Sequence, residues 1–154
     1  MLNMESTSSL ISSELRLENS PYLLLQEIYR DDPWKMLICC IFLNCTKRAQ
    51  VDAIRDQFFS KYPNAKAAEN AEASEMAELI SSLGFKNRRT RSIQRFSTDW
   101  IDRKSDNVSQ LYGIGKYAND SWQIFQLGNL KVEPTDGVLK KYLEWAKTKV
   151  NTGV

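Results

Sequence analysis

The sequence predicts an all-α fold, and three observations support this class. Apolar residues recur at helical spacing, most clearly at Trp34, Leu37, Ile38, Ile41 and Phe42. No stretch shows the apolar–polar alternation of a half-buried strand. The chain has 154 residues, 42% of them hydrophobic and 26% charged, which is typical of one globular domain. We therefore expect about eight short helices around a single core.

The first 19 residues differ in composition from the rest of the chain. Residues 1–19 are rich in serine and glutamate, and we expect a mobile tail there, followed by one domain over residues 20–154. The N-terminus lacks the basic and long apolar segments of a signal peptide. The apolar run at residues 36–43 is too short to cross a bilayer, so no membrane contact is expected.

The absence of histidine excludes several kinds of site. Ser-His-Asp triads, Cys-His dyads and histidine-ligated metals all require it. Cys39, Cys40 and Cys45 are clustered and odd in number, which is not a disulfide framework and fits a reducing compartment. Three cysteines cannot supply the usual four ligands of an iron–sulfur cluster. We therefore expect no metal and no cofactor. The net charge of +2 does not by itself indicate nucleic-acid binding.

Local signals set the expected helix boundaries. The first helix should begin with Ser20 as N-cap and Pro21 at the first helical position. The second should begin at Asp32-Pro33, and Gly84 should cap a later one. The further apolar faces are Val51, Ile54 and Phe58; Met76, Leu79, Ile80 and Leu83; Ile93, Phe96 and Trp100; and Val138, Tyr142 and Trp145.

Two glycines around one isoleucine, Gly113, Ile114 and Gly115, fit the turn of a helix-hairpin-helix motif. Glycine permits the φ angles and the close backbone approach that such a turn needs. The amides of the turn and of the next helix would then face an anion such as a phosphate, and Lys116 adds positive charge. An ordinary glycine-rich connection between helices has the same pattern, so this segment alone does not establish a phosphate-binding hairpin.

Two groups of charged residues have both an ordinary and a functional interpretation. Asp136, 19 residues after Tyr117, precedes the last helix, where a carboxylate is usually an N-cap. Near a phosphate-binding hairpin it could instead stabilise a cationic sugar and orient water, with Glu133 as the rival candidate. The second group is either a solvated helix start or a DNA-backbone contact. It consists of Lys86, Arg88, Arg89 and Arg91.

These segments, in this order, resemble the helix-hairpin-helix DNA glycosylases that use a catalytic aspartate, and within them the mismatch-specific thymine glycosylases. The resemblance runs from about Ser20 to Val150 and rests on "DPWKMLICCIFLNCT", "KYPNA", "SSLGFKNRRTRSI", "LYGIGKYANDSWQIF" and "PTDGVLKKYLEW". It implies two helical lobes around a DNA-binding cleft. It also implies a monomer without cofactor that acts in the nucleus on double-stranded DNA with a mismatched or deaminated base.

The resemblance assigns roles to individual residues. Asp136 would stabilise the oxocarbenium-like sugar of a flipped nucleotide. Gln26 would hydrogen-bond the base edge, Tyr117 would pack on the pyrimidine, and Phe85 would be the apolar wedge pushed into the duplex. The amides of the glycine turn would bind the DNA backbone. Tyr117 stands where bifunctional members carry the lysine that forms a Schiff base, so the resemblance implies a monofunctional enzyme.

One position departs from the family pattern. Relatives fill the gap left by the flipped base with a longer polar side chain, and this chain has Cys45 there; Asn44, Lys47 or Arg48 could substitute. The expected substrate is thymine or uracil opposite guanine. Two alternatives stay open: a non-catalytic DNA-binding module that keeps the hairpin, and a bifunctional glycosylase/lyase acting on an oxidised base.

Overall fold

The computed structural model describes residues 19–102 and 107–152, so the tail expected at residues 1–19 lies almost entirely outside the described residues. Within these ranges all regular structure is helical, which confirms the all-α class. The α-helices are α1 Leu25–Ile28, α2 Pro33–Phe42, α3 Arg48–Lys61, α4 Ala65–Glu69, α5 Ala73–Leu79, α6 Lys86–Asp102, α7 Lys116–Phe125 and α8 Gly137–Thr152. Single 3-10 turns occur at Ser81–Leu83 and Val108–Gln110.

Helix α2 is the centre of the fold. Eight of its ten residues are buried, and it packs against α1, α3, α6 and α7. A helix that is apolar on all sides must be surrounded by other elements. Its start is the one predicted: the Asp32 side chain accepts a hydrogen bond from the Lys35 amide at 3.2 Å, and Pro33 occupies the first turn.

Two groups of helices share α2 and form two lobes. In the first, α6 packs against α4 and α5, and the rings of Phe42, Phe58 and Phe59 pack edge-to-face or tilted with centroids 5.0–6.3 Å apart. In the second, α7 packs against α1 and the 3-10 turn at Val108–Gln110. Helix α8 joins this lobe, because the ring of Tyr142 lies 4.7 Å from that of Phe125.

The first helix is shorter than the sequence predicted, and Ser20 is not its N-cap. The backbone N–H and the hydroxyl of Ser20 both donate to the Glu27 carboxylate at 2.7 Å. The backbone N–H of Leu24 donates to the same carboxylate at 2.7 Å. A buried carboxylate needs such donors, and meeting them folds residues 20–24 into turns, so the helix begins at Leu25.

The inward face of α8 also differs from the prediction at one position. Tyr142 is buried, but Val138 is 48% exposed, and the core side is completed by Leu139, Leu143 and Ala146. The cap at the start of the helix explains the offset: Asp136 accepts from the Leu139 amide, which fixes the first turn. Residues at i, i+3, i+4 and i+7 from Leu139 then face the core.

Candidate active site

A polar cluster lies where α1, α2 and α7 meet. Gln26 is only 2% exposed, and its Nε2 donates to the Tyr117 hydroxyl at 2.8 Å and to the Ser121 hydroxyl at 3.1 Å. Tyr117 and Ser121 are four residues apart on α7 and therefore share a face. The thiol of Cys40 on α2 lies next to Ser121. Sequence reasoning singled out Gln26 and Tyr117 but missed Ser121, although the four-residue spacing could have indicated it.

Asp136 stands at the edge of this cluster and is the N-cap of α8. Its Oδ2 accepts from the Leu139 amide at 2.9 Å, and its backbone oxygen accepts from the Lys140 amide at 3.0 Å. Its negative charge acts on both Tyr117 and Cys40, so the carboxylate lies near the cluster. No described residue donates to Oδ1, which leaves one carboxylate oxygen for a ligand.

Burial keeps the tyrosine and the cysteine of this cluster neutral. Desolvation is the main cause that raises the pKa of Tyr117, and the charge of Asp136 adds to it. Burial raises the pKa of Cys40 from 9.0 to about 12. At neutral pH Tyr117 is therefore a phenol that can donate a hydrogen bond, and Cys40 is a thiol rather than a nucleophilic thiolate.

The glycine turn has the expected geometry with two differences. The element before it is a single 3-10 turn, Val108–Gln110, where a helix was predicted. Gly113 has a φ of 83°, which favours glycine. The amide of Ile114 donates to the carbonyl of Leu111 at 3.2 Å, so it is not available to a phosphate as expected. The amides of Gly113, Gly115 and the uncapped first turn of α7 remain free of partners among the described residues.

The basic cluster divides into exposed and buried members. Lys86, Arg88 and Arg91 are exposed on the first turns of α6. Arg89 is only 5% exposed. Its guanidinium donates to the carbonyl oxygens of Gly84, Ile41 and Leu83 at 2.8, 3.2 and 3.2 Å. A guanidinium committed to three carbonyls is not available to a phosphate, so the expectation for Arg89 was wrong. It instead joins the end of α2 to the turn before α6.

Lys116 also differs from the expectation of a free phosphate contact. Its Nζ lies 2.9 Å from Oδ2 of Asp120 and donates to the carbonyl of Glu133 at 3.1 Å. The lysine side chain is 53% exposed, whereas that of Asp120 is 9% exposed. Glu133 itself, the rival to Asp136, is exposed. Lys116 therefore links α7 to the loop before α8.

Phe85 and Cys45 stand at two exposed turns near Arg89. Both have positive φ angles, 50° and 61°, which are uncommon for residues other than glycine. Phe85 is 63% exposed and its ring lies 5.9 Å from the Arg89 guanidinium. Burial lowers the pKa of Arg89, and the nearby Cys45 thiol acts in the opposite direction. Asn44 is exposed in the same turn as Cys45, with its Oδ1 3.7 Å from the Cys45 sulfur.

A third strained position, Leu23, was missed by the sequence reasoning. It has a φ of 47° and is 47% exposed. Its carbonyl accepts from Nη1 of Arg48 at 2.9 Å, which connects it to the start of α3, directly after the Cys45 turn. Strained backbone often occurs at functional sites. No pattern in the sequence distinguishes Leu23 from the leucines that follow it.

The described residues contain few other features that bear on a ligand. Among residues 19–102 and 107–152, no three His, Cys, Asp or Glu side chains are grouped as metal ligands. In the same ranges, every helix is too short or too polar to cross a bilayer. The three cysteines are free thiols, with Cys39 and Cys40 buried and Cys45 exposed.

Comparison with curated proteins finds several relatives, two of which are named as DNA glycosylases. The chain is 38% identical over 129 residues to the methyl-CpG-binding domain protein 4-like protein of Arabidopsis thaliana, covering 83% of this chain and 29% of that protein. It is 29% identical over 93 residues to the thymine-DNA glycosylase of Aeropyrum pernix, covering 56% and 42% of the two chains. It is 28% identical over 94 residues to the thymine/uracil-DNA glycosylase of Pyrobaculum aerophilum, covering 56% and 41%. The chain thus spans less than half the length of each of these relatives.

The fold and the family are shown by two further matches. A solved structure of a thermostable thymine-DNA glycosylase superposes with a TM-score of 0.60 at 24% sequence identity, over 82% of this chain and 58% of that one. At this identity the similarity shows the fold. Residues 38–149 match the family described as HhH-GPD superfamily base excision DNA repair protein. With most of its length matched, the chain belongs to the HhH-GPD superfamily of base excision DNA repair proteins.

Proposed function

We propose that this chain is a monofunctional DNA glycosylase that removes thymine or uracil paired with guanine. The observation that carries the proposal is the position of Asp136, whose carboxylate borders the cluster of Gln26, Tyr117 and Ser121. The helix cap through Oδ2 fixes the carboxylate while Oδ1 stays open to a ligand. The names of the relatives, thymine-DNA and thymine/uracil-DNA glycosylase, support the choice of bases.

Double-stranded DNA with a mismatched or deaminated base is the proposed partner. The free amides around Gly113 and Gly115 would bind one phosphate, since successive backbone N–H groups and a helix N-terminus favour an anion. Arg88 and Arg91 are exposed and would contact other phosphates. Phe85 would enter the base stack from its exposed turn while the target nucleotide turns out of the duplex.

The Gln26 amide has one group left to recognise a base. Its Nε2 donates to Tyr117 and Ser121, and no described residue donates to its Oε1. Thymine and uracil carry a hydrogen on N3 that can donate to this oxygen, whereas the N3 of cytosine is an acceptor. The orientation of the amide would thus favour thymine and uracil over cytosine. The ring of Tyr117 would stack on either pyrimidine, which does not depend on base identity.

The chemical step would be hydrolysis of the N-glycosidic bond. As the bond between C1′ and N1 breaks, its electron pair stays on the departing base and the sugar becomes oxocarbenium-like. The Asp136 carboxylate stabilises this positive charge and accepts a proton from the attacking water, whose oxygen bonds to C1′. The base leaves as the N1 anion and takes up a proton from solvent, Asp136 gives its proton back to solvent, and an abasic site remains.

The test is single-turnover excision from G·T and G·U duplexes. Asp136→Asn keeps a side-chain oxygen for the helix cap but loses the charge, so it should fold and bind DNA while its rate falls by about 10²–10⁴. Glu133→Gln, a change of the same kind three residues earlier, should keep the wild-type rate. Excision at the wild-type rate by Asp136→Asn would refute the assignment.

The two alternatives give different results in the same assays. A non-catalytic DNA-binding module would release no base from any duplex. A bifunctional glycosylase/lyase would form a Schiff base that borohydride traps. Because Tyr117 stands at the position of the lyase amine, we expect no trapped adduct and strand cleavage only after alkali.

The proposal extends to the domain and its setting. Residues 20–154 would act as one glycosylase domain, as a monomer, in the nucleus. A chain starting at Ser20 should then excise at the same rate as the whole chain. Light scattering and imaging of a tagged chain would check the monomer and the nuclear location.

A further inference from the structure

The ammonium group of Lys116 connects the first turn of α7 to the loop that carries Asp136. Within α7 it pairs with Asp120 at 2.9 Å, and across the loop it donates to the backbone carbonyl of Glu133 at 3.1 Å. Glu133 lies three residues before Asp136. The residue after Lys116 is Tyr117, which belongs to the polar cluster. One side chain thus bridges the two segments that must be held together for a base to lie between them.

Asp120 is what holds Lys116 in this place. Its side chain is only 9% exposed, and a buried carboxylate costs free energy unless a positive partner and hydrogen bonds compensate it. The four-residue spacing on α7 places the two side chains on one face. The lysine is therefore held towards the loop by a carboxylate beneath it, and its charge is largely compensated within the protein.

The loop has few other attachments near Asp136. Its first half is held by the Asn129 amide, which donates to the Gln123 carbonyl at 2.8 Å. Between residues 132 and 135, the hydrogen bond from Lys116 is the one that the described part of the chain provides. Pro134 is buried, so packing contributes as well. Loss of the Lys116 bond would leave the backbone before Asp136 without a hydrogen-bonded anchor.

We propose that Lys116, held by Asp120, is a positioning residue that fixes the Asp136 loop against α7, and is not a phosphate contact. The proposal rests on the proposed glycosylase function, because its consequence for rate acts through Asp136. A misplacement of about 1 Å can cost about 10²-fold in rate without touching the reacting atoms. DNA affinity, in contrast, should depend little on a lysine whose charge is already paired.

The experiment compares Lys116→Met, Asp120→Asn and the double variant with wild type. The readouts are the single-turnover rate on a G·U duplex at saturating enzyme and the salt dependence of binding to abasic product DNA. A phosphate contact contributes about 0.9 to the salt slope, and its loss should weaken binding without slowing the bound complex. Lys131→Met removes the same charge from an exposed residue of the same loop and is the matched control.

We expect each single variant to lower the rate by about 10- to 100-fold with an unchanged salt slope. The double variant should be no slower than the slower single one, because both changes break the same tether. Lys116→Arg, which keeps donors of the same charge, should recover part of the rate. Asp120→Asn distinguishes the two roles of Lys116 most clearly. If Lys116 contacted phosphate, removal of the negative charge beside it should strengthen DNA binding rather than slow excision.

Amide hydrogen exchange at Leu139 and Lys140, whose backbone N–H groups donate to Asp136, tests the tether without any substrate. Faster exchange in both Lys116→Met and Asp120→Asn, but not in Lys131→Met, supports it even if no duplex proves to be a substrate. Unchanged exchange overturns it. A wild-type rate in Asp120→Asn together with a smaller salt slope in Lys116→Met also overturns it, in favour of a phosphate contact. Absence of excision by wild type would count against the proposed function alone.

Discussion

Gln26 is the residue whose proposed contact with the base bears most directly on substrate choice. Gln26→Ala removes the Oε1 acceptor and releases the hydroxyls of Tyr117 and Ser121. We expect a loss of about 1–3 kcal/mol in transition-state binding, by comparison with other hydrogen-bonded readings of a base. The loss should be larger for thymine than for uracil, because we expect the G·U pair to open more easily. Single-turnover rates on both duplexes are the measurement.

Ser121→Ala is the control for that experiment. It leaves Oε1 in place and removes one of the two hydroxyls that orient the amide. A smaller loss, about 1 kcal/mol, is expected for one hydrogen bond. If folded Gln26→Ala excises both bases at the wild-type rate, the base pocket lies elsewhere.

For single residues, the sequence predicted which residue types belong to the candidate site better than it predicted which contacts their side chains make. The types and order of Gln26, Tyr117 and Asp136 are visible in the sequence. The sequence could not show that the charged groups of Arg89 and Lys116 form hydrogen bonds with other groups of the protein. Those commitments depend on contacts between segments far apart in the chain, such as Arg89 with the Ile41 carbonyl.

In the turn that carries Phe85, we expect a substitution to weaken DNA binding and excision without lowering the stability of the fold. Phe85 is 63% exposed with a φ of 50°, so its side chain contributes little burial while its backbone is strained. Phe85→Gly relieves strain of about 1–2 kcal/mol and costs about 0.5–1 kcal/mol in unfolded-chain entropy. We expect a fold that is equally stable or slightly more stable, with weaker binding and slower excision.

Phe85→Ala separates the two effects. It removes the same ring and keeps the strained backbone, so excision should fall as in Phe85→Gly without the gain in stability. Urea unfolding and single-turnover rates for both variants are sufficient. Wild-type excision by both would mean that Phe85 does not enter the duplex.

For Arg89, in contrast to Phe85, we expect substitution to lower the stability of the fold, because Arg89 joins the end of α2 to the turn before α6. Arg89→Met leaves the carbonyls of Leu83 and Gly84 without their donor, whereas the Ile41 carbonyl keeps the Asn44 backbone N–H at 3.4 Å. An unsatisfied buried group costs about 1–3 kcal/mol, so for two carbonyls the loss of unfolding free energy should be at least about 2 kcal/mol. Arg89→Lys, which keeps the charge but not the planar set of donors, should recover little of it. An unchanged urea midpoint with a reduced salt slope in DNA binding would instead identify a phosphate contact.

Helix starts show why element boundaries were only partly predictable. Asp32-Pro33 acts within its own turn, and α2 begins there as predicted. Ser20-Pro21 is an equally good local signal, but the Glu27 carboxylate takes the Ser20 hydroxyl and the helix begins later. The short helix α4, capped by Asn64, has only five residues and gave no apolar period to detect. A local capping signal predicts the start of a helix correctly where no side chain from outside the turn binds the capping residue.

Across the whole molecule, α2 connects the two parts of the proposed site. Its last turns place the Cys40 thiol against Ser121 in the polar cluster and the Ile41 carbonyl against Arg89 at the exposed turns. The proposed base pocket and the elements proposed to enter the duplex thus share one buried helix. The packing around α2 also buries two ionisable thiols, Cys39 and Cys40.

These buried thiols predict that the fold loses stability in alkali. Burial raises the pKa of Cys40 from 9.0 to about 12, and it raises the pKa of Cys39 as well. Below pH 9 both the folded and the unfolded chain hold these protons, so the thiols cause no pH dependence. As the pH rises from 9 towards 12, the unfolded chain releases a proton that folded Cys40 retains, so unfolding becomes more favourable by about 1.4 kcal/mol per pH unit.

Cys40→Ala isolates this effect, because its cavity lowers stability by the same amount at every pH. Urea unfolding at pH 7 and pH 10, with reductant present, gives the loss of unfolding free energy between the two. We expect that loss to be smaller in the variant than in wild type by about 1.4 kcal/mol, the contribution of one thiol one pH unit above its unfolded pKa. Equal losses in the two proteins would mean that the Cys40 thiol titrates as if exposed, and that α2 opens to water at its pocket end.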